Sequence, residues 1–279
     1  MQKFLTDVHT HSAFSYDGVS PLEEMLQSAM EKGIAFYGVS EHFDYDVKVL
    51  GIDRMPSEKA DEYFHAARHL QEDYAGCMNV LIGAEFGFID DKTLCEEYAA
   101  TAKKYTPDFI VNSIHTYNGH DYYDRDIFYK AGVVREKKEV YTEYLTLVLK
   151  SLHAPYPYDI VGHIGYPTRY APYENTKMPY AEYAELWDSI LQTVIAKDKI
   201  LEINVSGGRG TLPSDGMLPS EEILKRYFAL GGRKISYASD AHQASKIAAN
   251  RESVIKLLKE IGFTHITVPC KGEHIKVEI

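Results

Sequence analysis

Short apolar runs alternate with longer segments of helical spacing along most of this chain. The apolar runs are typical of buried strands, and they cover residues 4–8, 35–39, 80–84, 109–112, 160–162, 200–204 and 235–238. The segments with apolar residues three and four positions apart cover residues 21–31, 58–74, 94–104, 140–153, 180–196 and 220–230. This alternation predicts an α/β protein with a parallel sheet, either closed as a barrel or open as a doubly wound layer.

The lengths of the predicted links favour the barrel. Links from helix to strand are short, as at residues 106–107, whereas links from strand to helix are long, as at 115–138 and 163–179. A (β/α) barrel builds its site from the loops at the C-terminal ends of its strands, which produces this asymmetry. We therefore expect one barrel domain over residues 1–279. The two extended segments near the C-terminus could either close that barrel or flank it.

Composition narrows the possible partners. The chain has 279 residues, 45% of them hydrophobic and 25% charged, and a formal net charge of -11. This acidic balance disfavours nucleic acid and anionic membranes as partners, and no apolar run approaches the ~20 residues of a membrane span. The three cysteines of the chain lie far apart in the sequence and do not indicate a disulfide framework. We expect a cytoplasmic protein without a nucleic-acid or membrane partner, and the sequence leaves its oligomeric state open.

Histidines and carboxylates cluster at the ends of the predicted strands. His9 and His11 follow the first run, and alternate residues of an extended strand point the same way. Residues of the same kind stand at the C-terminal ends of five of the later runs: His42, Glu85, His115, His163, Asp240 and His242. Because the C-terminal ends of parallel strands meet, these residues predict a metal site. Imidazole and carboxylate ligands without thiolate suit zinc, manganese or iron.

The motifs around these residues resemble those of one family. They are Asp7-Val8-His9-Thr10-His11, Ser40-Glu41-His42, Gly83-Ala84-Glu85, Ser113-Ile114-His115, Gly162-His163 and Ser239-Asp240-Ala241-His242. In this order they resemble the PHP (polymerase and histidinol phosphatase) family over almost the whole chain. The continuation Ser15-Tyr16-Asp17-Gly18 is most similar to the monofunctional histidinol-phosphatase branch. The resemblance implies a distorted (β/α)7 TIM-like barrel, a multinuclear metal centre and phosphoester hydrolysis.

The resemblance also implies how the ligands divide among two or three divalent metal ions. His9, His11, Glu85 and Asp240 match the ligands of the first ion. Glu85, His115 and His163 match those of the second, so that Glu85 bridges the pair. Asp17, His42 and His242 match those of the third, with Asp17 standing where many members of the family have histidine.

Two arginines are candidates for phosphate binding. Arg169 and Arg209 lie in predicted strand-to-helix loops, and a guanidinium grips phosphate with two parallel hydrogen bonds. Ser206 is a weaker candidate for the same pocket. Glu41, beside His42, could orient a ligand or receive an amine of the substrate. Tyr117 is one of several loop tyrosines that could line a pocket or pack the loops together.

The most direct functional hypothesis is a phosphatase acting on a small phosphomonoester, which the resemblance suggests is L-histidinol phosphate in histidine biosynthesis. Two cations sharing a water would make hydroxide available for attack near neutral pH. The leaving alkoxide could take its proton from metal-bound water, Asp240 or His242. The alternatives are another PHP phosphoesterase, such as a nucleotide or protein phosphatase, and a non-catalytic metal-binding barrel with a regulatory role.

Overall fold

Seven parallel strands form the central sheet of the computed structural model, which describes residues 5–45, 55–206 and 216–279. In chain order they are β1 Leu5–Asp7, β2 Ile34–Phe43, β3 Asn79–Gly87, β4 Phe109–Ser113, β5 Ile160–Val161, β6 Ile200–Asn204 and β7 Ile235–Ala238. The strands lie in the sheet in the same order as in the chain. The two edges approach each other, because Thr10 forms a parallel bridge with Ala241 just beyond β1 and β7. The predicted TIM-like barrel is therefore confirmed, with its closure limited to this end.

Helices fill the connections between the strands. They are α1 Leu22–Glu31, α2 Ser57–Asp73, α3 Lys92–Tyr105, α4 Lys137–Ser151, α5 Ala184–Ala196, α6 Glu221–Ala229 and α7 Arg251–Ile261. Each buries an apolar face, as α5 does with Trp187, Ile190 and Val194. No helix within the described ranges has the length and apolarity needed to cross a bilayer.

Two helices begin three or more residues from the predicted position. The α5 helix begins at Ala184 rather than at residue 180, because Tyr180–Glu182 form a separate 3-10 turn after Pro179. The α4 helix begins at Lys137, three residues before the predicted start, because its first turn is charged and carries no apolar periodicity.

Short elements occupy the long links from strand to helix. There are 3-10 turns at Asp126–Phe128, Tyr166–Arg169 and Ala244–Lys246. Two small hairpins pair Thr116–Tyr117 with His120–Asp121 and Tyr129–Lys130 with Val133–Val134.

The C-terminal segments form an antiparallel hairpin, β8 His265–Cys270 and β9 Glu273–Glu278. Val268 and Val277 of this hairpin are buried in the same apolar cluster as residues from the N-terminal parts of the barrel strands, such as Phe109. The backbone N–H of Lys271, in the hairpin turn, donates to the carbonyl of Asp108, which directly precedes β4 (2.7 Å). The hairpin therefore covers the N-terminal end of the barrel, which leaves the opposite end for the polar cluster.

Candidate metal centre

The C-terminal end of the barrel gathers the side chains that were predicted to bind metal. The backbone stays extended past β1, since the N–H of Asp240 donates to the carbonyl of His9 and the N–H of His11 to that of Ala241, both at 2.9 Å. This fixes His9 and His11 with their imidazoles on the same side. All nine predicted ligands lie in this cluster: His9, His11, Asp17, His42, Glu85, His115, His163, Asp240 and His242.

The side chains predicted for the first ion are buried and converge on one another. The Nε2 atoms of His9 and His11 lie 3.0 Å apart, and they lie 3.4 and 3.5 Å from Oε2 of Glu85. Oδ1 of Asp240 lies 3.3 Å from Nε2 of His11 and 3.9 Å from Nε2 of His9. Two imidazole nitrogens and two carboxylate oxygens thus converge, which is a donor set for a divalent cation.

The other oxygen of Glu85 faces the set predicted for the second ion. Its Oε1 lies 2.9 Å from Nε2 of His163 and 3.3 Å from Nε2 of His115, and these two nitrogens lie 3.4 Å apart. Ser113 also donates its hydroxyl proton to this oxygen, at 2.6 Å. Glu85 therefore turns one oxygen to each histidine pair, as a bridging carboxylate does.

The set predicted for a third ion lies nearer the solvent. Oδ1 of Asp17 lies 3.6 Å from Nε2 of His42, and Oδ2 lies 3.3 Å from Nε2 of His242. The Asp17 side chain is 40% exposed, whereas His42 is 8% exposed. These residues lie on the solvent side of the cluster, farther from its buried interior than Glu85.

Hydrogen bonds within the cluster leave a buried donor atom unsatisfied, and a bound metal ion would satisfy it. Oε2 of Glu85 is fully buried and accepts no hydrogen bond from any part of the chain that the structure describes, although three imidazole nitrogens lie within 3.5 Å of it. A buried carboxylate oxygen without a donor is costly unless a cation faces it. Three triads have ligand atoms within 4.8 Å of one another, namely His11–His42–His242, His9–His11–Asp240 and His42–Glu85–His115. The cluster could therefore hold metal ions.

The electrostatics of the cluster favour the ligand forms of His11, Glu85 and Asp240. For His9 and His115, burial opposes charge, but the facing carboxylates raise the pKa of both imidazoles well above its usual value. Burial, reinforced by repulsion from His42 and His242, lowers the pKa of His11 to about 3, so this imidazole is neutral and can donate a lone pair. Burial opposes charge on Glu85, but the facing His9, His115 and His42 hold the pKa of Glu85 well below its usual range. The pKa of Asp240 is held low in the same way, by a hydrogen bond with His11 and the charge of His9.

Two carboxylates that were not predicted from the sequence orient two of the predicted ligand histidines. Oε1 of Glu202, in β6, lies 2.5 Å from Nδ1 of His9, and Oδ1 of Asp44 lies 2.9 Å from Nδ1 of His115. A carboxylate on the second ring nitrogen fixes the tautomer and direction of a metal-binding imidazole. The only sequence signal for Glu202 was an acidic residue inside the apolar run at residues 200–204.

Of the predicted phosphate-binding residues, Arg169 lies beside the cluster. It ends the turn Tyr166–Arg169, its side chain is 9% exposed, and its Nη1 lies 3.7 Å from Oδ2 of Asp240. Ser206 donates its hydroxyl proton to the same Asp240 oxygen at 2.8 Å, so it contacts a predicted ligand. Arg209 lies outside the described residues.

The remaining two candidates do not line the cluster. Glu41 is fully buried, and its oxygens accept hydrogen bonds from Ser12 and from the hydroxyl of Ser15, which lies 3.2 Å from Nδ1 of His11. This geometry fits the ligand-orienting role expected of Glu41 rather than contact with a substrate amine. Tyr117 lines a separate cavity of about 420 Å³ with Thr146 and Lys150.

The chain is similar in sequence and in structure to proteins of known family. The family model of the PHP domain matches residues 7–206. A probable histidinol-phosphatase of Clostridium acetobutylicum is 30% identical over 251 residues, covering 90% of this chain and 91% of that protein. The histidinol-phosphatase of Lactococcus lactis is 28% identical over 260 residues, covering 92% and 91%. A crystal structure of histidinol phosphate phosphatase from Lactococcus lactis, complexed with zinc, L-histidinol and phosphate, has 25% identity and a TM-score of 0.86, covering 98% of this chain and 99% of that one. The chain belongs to the PHP domain family.

Proposed function

We propose that this protein is a metal-dependent phosphomonoester hydrolase that converts L-histidinol phosphate and water into L-histidinol and phosphate, a reaction of histidine biosynthesis. The observation that carries the proposal is the placement of Glu85 between two histidine pairs, with a buried arginine, Arg169, beside Asp240. Two cations held side by side with a guanidinium nearby suit the charge of a phosphomonoester dianion.

The proposed cofactors are two or three divalent metal ions. When bound, such ions polarise phosphoryl oxygens and lower the pKa of water. The ligands are imidazoles and carboxylates, which suit zinc, manganese or iron. Zinc is the first choice, because the Lactococcus lactis structure contains it. Glu85 would be shared by two ions, and Asp17, His42 and His242 would hold a third.

Arg169 is the proposed phosphate-binding residue of the described chain. Its Nη2 donates to Asn204 at 2.7 Å, which fixes the guanidinium, while its buried Nε has no acceptor within the described ranges. Arg169 also lines a cavity of about 780 Å³, although none of the nine predicted metal ligands lines that cavity. Arg209 is proposed as the second phosphate-binding residue on the sequence argument alone.

The leaving alkoxide needs a proton, and His242 fits that role better than Asp240. Burial opposes charge on His242, but its contact with Asp17 and the charge of Asp240 raise the pKa of His242 to about 9, so it is protonated at neutral pH. The pKa of Asp240 is held well below its usual range, and this carboxylate is therefore a poor acid. His242 can supply a proton only while it binds no metal ion. This role therefore requires that only the first two ion sites be filled and that the third, which His242 would share with Asp17 and His42, be empty.

A substrate panel tests the proposal. Phosphate release is measured with L-histidinol phosphate, a nucleoside monophosphate and a phosphotyrosine peptide, each with zinc or with a chelator. We expect kcat/KM for L-histidinol phosphate to exceed that for the other two substrates at least tenfold, and the chelator to abolish it. A preference for the nucleotide or the peptide would support a different PHP phosphatase. Zinc binding without any turnover would support a regulatory barrel.

A further inference from the structure

Strand β6 supplies none of the predicted metal ligands, yet two of its side chains reach the cluster. Glu202 and Asn204 are two residues apart, so they point to the same side of the strand, and both are fully buried. Glu202 binds His9 through one oxygen and accepts the backbone N–H of His163 through the other, at 2.8 Å. Asn204 lies between Glu202 and the loop that carries Arg169.

The amide oxygen of Asn204 faces the phosphate-binding side. It accepts a hydrogen bond from Nη2 of Arg169 at 2.7 Å and a second from the backbone N–H of Ser206 at 3.1 Å. Both lone pairs of the oxygen are therefore in use. With its head group held here, Arg169 keeps its place beside Asp240.

The amide nitrogen of Asn204 faces the metal side. It donates one hydrogen to Oδ2 of Asp240 and the other to Oε2 of Glu202, both at 3.1 Å. The reverse orientation would place the NH2 group against the guanidinium and the oxygen against two carboxylates. Asn204 therefore uses all of its hydrogen-bonding capacity, and its neighbours allow one orientation.

These bonds decide which oxygen of Asp240 faces the metal. Oδ2 is occupied by Asn204 and by the hydroxyl of Ser206, while Oδ1 is left facing His11. The backbone of Asp240 has a φ of 51°, a region that few non-glycine residues adopt. The direction of its side chain thus depends on contacts made by the neighbouring strand.

We propose that Asn204 is a positioning residue that couples Arg169 to Asp240. One buried amide holds the guanidinium on the phosphate side and turns Oδ1 of Asp240 toward the metal side. The Arg169 half of this inference rests on the proposed function, whereas the Asp240 half rests only on metal binding.

The experiment measures zinc affinity and steady-state kinetics for wild type, Asn204→Ala, Arg169→Ala and the double variant. Zinc affinity is obtained by competition with a chromophoric chelator and needs no substrate. Loss of a residue that orients a ligand weakens metal binding by roughly 10- to 100-fold, and this is the range expected for Asn204→Ala. We also expect Asn204→Ala to raise KM. In the double variant, KM should be close to that of Arg169→Ala alone, because the effects of two substitutions that break the same interaction are not additive.

Two further variants keep the test decisive. Asn204→Ser keeps a small polar group that cannot span both partners, so it should show the same pattern even if Asn204→Ala folds poorly. Asn79→Ala serves as the matched control, because Asn79 donates to Ala35 at the opposite end of the barrel. Zinc affinity should stay unchanged in this control.

The outcomes separate the two proposals. Zinc affinity within twofold of wild type in both Asn204 variants would overturn the Asp240 half. Independent, multiplicative effects of Asn204→Ala and Arg169→Ala on kcat/KM would overturn the Arg169 half. If wild type does not hydrolyse L-histidinol phosphate, the proposed function fails, while the zinc competition still decides the link between Asn204 and Asp240.

Discussion

Nδ1 of His9 lies 2.5 Å from Oε1 of Glu202, although the two residues are 193 positions apart in the chain. The contact joins the extended segment just after the first strand of the barrel to the sixth strand. It holds the His9 ring with Nε2 turned toward Glu85, which is the direction needed for a metal ligand. The nearly closed barrel brings this pair together, and the pair in turn orients one of the predicted metal ligands.

Replacing Glu202 with glutamine should therefore weaken metal binding. Glutamine keeps the size of the side chain but removes the charge that fixes the His9 ring. We expect zinc affinity to fall by roughly 10- to 100-fold, as measured by chelator competition. The control is Glu23→Gln on the exposed face of α1, which should bind zinc as wild type does. Equal affinities in the two variants would remove Glu202 from its orienting role.

Replacing Glu85 with glutamine should have a larger effect. Glu85 faces both histidine pairs, and an amide cannot bridge two cations with two anionic oxygens. We expect both the zinc content per chain and kcat to fall, with kcat reduced at least ~100-fold. Elemental analysis and phosphate release on the same sample measure the two quantities. Near-normal turnover would contradict a bridging role for Glu85.

Replacing Arg169 with alanine should weaken the use of phosphomonoesters. A hydrogen bond to a charged group contributes about 2 kcal/mol, so kcat/KM should fall roughly 30-fold, with a raised KM. Arg169→Lys should recover only part of this loss, because an ammonium lacks the planar fork. Arg233→Ala, at the opposite end of the barrel, is the control. Unchanged kinetics in Arg169→Ala would exclude this arginine from the substrate site.

The C-terminal hairpin should contribute to stability rather than to chemistry. Val268 is fully buried against the N-terminal end of the barrel, and Val268→Ala removes two buried methyl groups. We expect this change to lower the free energy of unfolding by about 2 kcal/mol, measured in urea with chelator present. Val133→Ala should cost less than ~0.5 kcal/mol, because Val133 is 69% exposed. Equal losses in the two variants would show that the hairpin does not pack as described.

The barrel could be predicted from the sequence because its signals are local. Each apolar run marks a strand, and eight of the nine predicted ligands stand near a run whose C-terminal end the fold brings to one place. The ninth, Asp17, was predicted from the family resemblance. The long loops after the strands identified that end. That the chain forms a single domain stays a prediction.

The supporting residues could not be predicted because their roles depend on distant strands. Asp44 looks like an ordinary loop acid until the fold places it against His115, 71 residues later. Asn204 looks like the last residue of an apolar strand until it is seen to join Arg169 to Asp240. Glu41 was predicted to act beside His42, but its hydrogen bonds to Ser12 and to Ser15, which contacts His11, emerge only from the folded loop.

The central claim is that this cluster hydrolyses L-histidinol phosphate through bound metal ions. The most direct test measures phosphate release from this substrate by one preparation in three states: zinc-loaded, stripped by a chelator, and reloaded with zinc. We predict turnover in the loaded state, its loss by at least ~100-fold on stripping, and its recovery on reloading. Undiminished turnover by protein that elemental analysis shows to be free of metal would contradict the claim.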